Sequence, residues 1–112
     1  MADDRLTAQT LTSTTTTVTR NAMSTANTHQ VLNSPGGTIL NFEKSGAGEA
    51  TVTITTPGTV DGLAIADRTV TVPASTGDVA VWLPYANYTN GSGDIEFTTD
   101  EDTGLTVAVF QT

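Results

Sequence analysis

The chain has 112 residues, enough for one domain and one core, and its 12 acidic residues against four basic ones leave a net charge of −8. It contains no cysteine, which removes disulfides, thiolate catalysis and cysteine-based zinc sites together. The four cations, Arg5, Arg20, Lys44 and Arg68, are scattered and form no basic stripe, so nucleic acid is excluded as a partner.

The first segment, residues 1–27, reads MADDRLTAQTLTSTTTTVTRNAMSTAN and differs from the rest of the chain. It is rich in Thr, Ser and Ala, carries the low-complexity run TSTTTTVT, and has too few apolar residues to pack by itself. It reads as an extended N-terminal arm, either disordered or laid as an edge strand on the body or on a neighbour. Leu6, Leu11 and Val18 are its anchors if it docks. No basic and apolar leader opens the chain, so export by the usual signal is not expected. No apolar run approaches the roughly 18 residues of a membrane span, and no membrane partner is expected.

From residue 28 onward the chain alternates. HQVLN (29–33) predicts a short strand, and SPGG (34–37) a turn in which glycine supplies the positive φ. TILNFE (38–43) predicts a strand burying Leu40 and Phe42, followed by the turn SGAG (45–48). EATVTITT (49–56) points Val52 and Ile54 inward until Pro57-Gly58 breaks it. VDGLAIAD (60–67) reads as an irregular link whose Leu63 and Ile65 plug one end of the core. RTVTVP (68–73) turns Val70 and Val72 inward, and ASTGD (74–78) is a turn. VAVWLP (79–84) sets Val79, Val81 and Leu83 on one face, which sends Trp82 out of the other. NYTNGSGD (87–94) carries the Asn-Gly hairpin signal. DIEFT (94–98) buries Ile95 and Phe97, TDEDTG (99–104) turns, and LTVAVF (105–110) closes the chain with Leu105, Val107 and Val109 together.

Thr is the commonest residue, with 25 copies, and its β-branch suits the wet face of a half-buried sheet. Seven or eight short strands at regular spacing, with no helical period, predict an antiparallel β-sandwich of jelly-roll or immunoglobulin-like order over residues 28–112.

Reactive groups are sparse. His29 is the one histidine, without a nucleophile elbow or a second histidine, and reads as a strand-surface residue. DEDTG (100–104) resembles part of a calcium loop but lacks the distal glutamate, so a solvated hairpin turn is the better reading. Asp61 and Asp67 flank the GLAIA stretch, Asp61 as a turn cap and Asp67 in a charge patch with Arg68. Asn87 and Asn90 each open an N-glycosylation pattern, which Asn-rich turns produce by themselves. No catalytic residue, metal or cofactor is expected, and an enzyme is the least favoured class. WLPYANY (82–88) gathers Trp82, Tyr85 and Tyr88, rings that either anchor a partner or cap the open end of the sandwich.

The stretch GEATVTITTPGTVDGLAIADRTVTVPASTGD (48–78) resembles a segment of small decoration or minor head proteins of tailed viruses. There a strand ending in TP precedes TVDGL, then AD-R-TVTVPA and a glycine turn. TILNFEKSGAG (38–48) and GDIEFTTDEDTGLTVAVFQT (93–112) resemble the flanking strands, so the likeness covers residues 28–112. It implies a virion protein, made in the host cytoplasm, that binds the major capsid protein on the outside of the lattice as a small homo-oligomer such as a trimer. Leu6, Leu11, Val18, Trp82, Tyr85 and Tyr88 are then the candidate contacts. A head-completion or tail ring protein, and a carbohydrate-binding module stacking sugars on Trp82 and the tyrosines, are the alternatives. The long Thr-rich arm departs from that family. So does the acidity, which fits a protein kept soluble in high salt and hence a haloarchaeal virus.

Overall fold

The computed structural model describes residues 2–11, 17–33, 35–57, 59–64, 66–85 and 88–111. Among them there are twelve strands and no helix. The arm supplies β1 (Ala2–Leu6), β2 (Gln9–Thr10) and β3 (Asn21–Ala22). The body supplies β4 (Asn27–Leu32), β5 (Thr38–Lys44), β6 (Ala50–Ile54), β7 (Thr59–Val60), β8 (Leu63–Ala64), β9 (Arg68–Val72), β10 (Gly77–Leu83), β11 (Asp94–Thr99) and β12 (Leu105–Gln111).

Two five-stranded sheets form. The first runs β1-β4-β11-β6-β9; the second runs β10-β5-β12-β2, with β3 also on the β12 edge. β7 and β8 make a separate two-stranded ribbon. The sheets are mixed, which corrects the all-antiparallel expectation: β1 lies parallel to β4, and β2 parallel to β12. Both parallel pairs come from the arm. Its strands thus enter both sheets of their own chain.

The period-2 pattern dictates the core. In β5, Thr38, Leu40, Phe42 and Lys44 are buried and the residues between them half-buried. Val31, Val52, Ile54, Val72, Ile95 and Phe97 of the first sheet form one cluster with Leu40, Phe42, Val81, Leu83, Leu105, Val107 and Val109 of the second. Phe42 meets Phe97 edge-on across that layer, with ring centroids 5.9 Å apart. Each such fully buried side chain stabilises the fold by about 1.5–3 kcal/mol. A β-sandwich-like body is the result.

Several expectations are overturned. The Asn90-Gly91 turn is not a hairpin, because the strands it joins, β10 and β11, lie in different sheets. The 100–104 turn likewise crosses between sheets, from β11 to β12. His29 is buried, not on the surface: it stacks on Phe97 at 5.5 Å, and its Nε2 accepts the Ser24 amide at 3.2 Å. Leu63 does not plug the core; it is 71% exposed at the tip of the β7–β8 ribbon. Ile65 lies outside the described residues.

Candidate functional site

The two ends of the sandwich differ in chemistry. One end gathers the turns after β3, β5, β9 and β11, and Lys44 holds it together. Its ammonium, buried at the end of β5, donates to the carbonyls of Thr103 and Ala47. Backbone bonds run from Ser45 to Gly104 and from Ser75 to Gly46, at 3.1 and 2.9 Å. A β-carbon on Gly46 would collide with the carbonyl of Thr103, so only glycine fits that approach. The carboxylates of 100–104 also bind amides: Asp100 accepts from Thr51, Glu101 from Thr103 and Asp102 from Thr25. The Thr103 amide holds the Glu101 carboxyl below its ordinary pKa, with help from the Lys44 charge. No group of three or more His, Cys, Asp or Glu able to hold a metal occurs among the described residues.

The opposite end is closed by buried Asn33, which bonds Thr38, Thr89 and Pro84, but it carries exposed apolar residues. It is defined by the register that pairs Leu32 with Asp94, and Thr38 with both Leu83 and Gln111. Leu32 and Tyr85 are exposed there, and Trp82 is 56% exposed. Leu11 joins them, since its amide bonds the Gln111 carbonyl at 2.8 Å. Leu63 belongs to the same end because its ribbon links the end of β6 to the start of β9. Five of the six large exposed apolar residues among the described ones therefore lie toward one end.

Trp82 is held rather than loose. Its indole Nε1 donates to the Gly36 carbonyl at 3.3 Å. The ring lies so close over Gly37, whose φ is +90°, that a β-carbon there would strike it. Register places Trp82 beside Ile39, and Ile39 beside Phe110, so these three form an apolar row across three strands on the outer face of the second sheet.

The sequence-predicted contacts separate accordingly. Trp82 points outward, opposite Val81 and Leu83, and with Tyr85 and Leu11 shares the apolar end. Tyr88 is half-buried and packs against the core. Val18 is exposed on the arm, next to Thr19, which is tied to the Gln9 side chain. Leu6 is different: at 6% exposure it is buried in its own chain's core, so it cannot also anchor a neighbour from this conformation. Asn90 accepts from the amides of Ser92 and Asp94 as an Asx turn, while Asn87 lies outside the described residues. Asp67 is exposed beside Arg68, and its carboxylate accepts both the amide and the hydroxyl of Thr56. Asp61 takes a positive φ of 52° in the β7–β8 turn.

Sequence reasoning passes over Ile39 and Phe110. Their signal is present, because TIL (38–40) and VAVF (107–110) break the alternation and place apolar residues on both faces of their strands. It also passes over Arg5, whose guanidinium pairs with the buried Asp94 carboxylate 89 positions away. That bond raises the Arg5 pKa, so the cation persists at any working pH.

Neither a family model, nor a curated protein, nor a solved structure matches this chain.

Proposed function

We propose that this protein is a non-enzymatic binding module of a virion, decorating the outside of a capsid lattice by docking its apolar end on the major capsid protein. The observation that carries the reading is the asymmetry between the ends. Both ends are tied by hydrogen bonds, but only one of them carries Leu11, Leu32, Leu63, Trp82 and Tyr85 exposed. Exposed apolar residues concentrated in this way mark interaction surfaces. Trp and Tyr are the residue types that anchor them.

We further propose a jelly-roll for the body. The order β3-β12-β5-β10 facing β4-β11-β6-β9 supports it, since all but one connection between these consecutive strands crosses from sheet to sheet. That arrangement serves viral capsid and lectin domains alike. In the virion reading the chain acts as a homo-oligomer, a trimer at a local threefold, with Trp82, Tyr85 and Leu11 as the contacts to mutate.

Quantitative mass spectrometry of purified particles tests this. A copy number equal to that of the major capsid protein, or a simple fraction of it, is expected. A ring-sized count moves the protein to the portal or tail, and absence from particles ends the virion reading. Glycan binding abolished by Trp82→Ala would instead favour the carbohydrate-binding module, which the exposed indole also suits.

A further inference from the structure

A small cleft opens beside the apolar end, on the outer face of the first sheet. It measures about 150 Å³ and is lined by Thr55, Pro57, Tyr88, Asn90, Asp94 and Glu96. Two of these six are carboxylates and none is a cation. Asp94 is 6% exposed, so its charge is largely removed from water. Its Oδ2 takes the Arg5 guanidinium, but its Oδ1 is buried and accepts no hydrogen bond. An ionised carboxylate held in this way leaves strong acceptor capacity unmet, a costly condition unless something supplies the missing donor.

The surroundings are built rather than accidental. Asn90 donates from Nδ2 to Glu96 Oε1 at 2.5 Å and accepts the amides of Ser92 and Asp94. Its own amide bonds the Asp94 carbonyl at 2.9 Å. The 88–93 loop is thereby fixed over β11, with Tyr88 as one wall. An aromatic side chain beside two carboxylates, in a space too small for a macromolecular segment, matches a compact organic cation.

We propose that this cleft binds one ammonium or guanidinium group, held by Asp94 and Glu96 and flanked by Tyr88. The group arrives either on a lysine or arginine side chain of the docking partner or as a free small amine. The inference rests on the partner-docking reading only for the first of these sources. Its binding test is separate from the copy-number test, so either can fail alone.

The test is a titration of the ¹⁵N-labelled full chain, followed by amide shifts at constant ionic strength. The probes are butylammonium, methylguanidinium, calcium chloride, neutral butanol, and the capped peptide Gly-Gly-Lys-Gly-Gly. Saturable shifts confined to the amides of Thr55, Tyr88, Asn90, Asp94 and Glu96 are expected with an organic cation. Asp94→Asn and Glu96→Gln should each weaken binding about tenfold, the size of one charge-assisted hydrogen bond. Glu96→Gln leaves the Arg5–Asp94 pair intact, so it remains informative if Asp94→Asn loosens β1. Binding of the peptide at least as tight as that of butylammonium assigns the site to a partner side chain, and binding of the free amine alone assigns it to a small molecule. The proposal is overturned if butanol shifts the same amides equally, if only calcium does, if shifts spread over all carboxylates, or if neither variant weakens binding.

Discussion

Lys44 and Glu101 show how single side chains tie down one end of the molecule. Lys44 lies on the inward face of β5, where an apolar residue would follow Phe42 by period, and its ammonium caps two carbonyls of neighbouring turns. Lys44→Ala removes the buried stem and leaves those carbonyls unmet. We expect it to cost about 2–4 kcal/mol, read as a lower urea midpoint with an unchanged slope. Glu101 gives a pH signature. Its folded pKa lies below the ordinary 4.5, so the unfolded chain binds the proton more readily. The stabilisation it contributes is complete above that value and disappears as pH falls through the lower folded one. Glu101→Gln should therefore lower Tm at neutral pH, with the gap to the parent closing as pH falls through the acid range. Parallel acid melting curves for the two proteins would disprove it.

At the scale of elements, the arm is the informative piece. Its sequence allows it to be free or docked, and in the structure three of its strands dock on its own body. β1 extends β4 in parallel, putting Leu6 into the core and Arg5 on Asp94. Two neighbouring arm leucines then separate cleanly. Leu6→Ala should lower stability by about 2–4 kcal/mol, as a buried truncation does. Leu11→Ala should stay within about 0.5 kcal/mol, as a surface change does. Equal effects in denaturant titrations would mean that the arm does not sit this way in solution. Gly37 belongs to this scale as well, since Gly37→Ala forces Trp82 out of its seat and should change the tryptophan emission.

The whole molecule is governed by its charge. Of the four cations, Arg5 and Arg20 form ion pairs with Asp94 and Glu43, and Lys44 is turned into the core. Few cations remain to offset the other acids at the surface. Their repulsion weakens as salt shortens the screening length. Tm should rise between roughly 0.05 M and 2 M NaCl, over which that length falls from above 10 Å to below 3 Å. A Tm that stays level over this range would remove both the repulsion argument and the expectation of a high-salt host.

Much of the architecture is legible in the sequence because strand formation is written locally. Alternation alone places Leu40, Phe42, Val52, Ile54, Val72, Ile95, Phe97 and Val107 inside, and sends Trp82 outward. It does so because side chains of a strand point to opposite faces whatever its neighbours are. Pairing is not written that way. Nothing local distinguishes a turn that closes a hairpin from one that carries the chain across to the other sheet, so Asn90-Gly91 and 100–104 read as hairpins and are crossovers instead. The same limit conceals the burial of His29, the enclosure of Lys44 and the bond from Arg5 to Asp94, each made by residues distant in the chain. The sequence by itself determined an acidic, cysteine-free, all-β chain and most of its inward faces. Only the tertiary structure decided which strands meet, that the arm belongs to both sheets, and that most of the large exposed apolar side chains fall toward one end, because those outcomes depend on contacts between segments far apart in sequence.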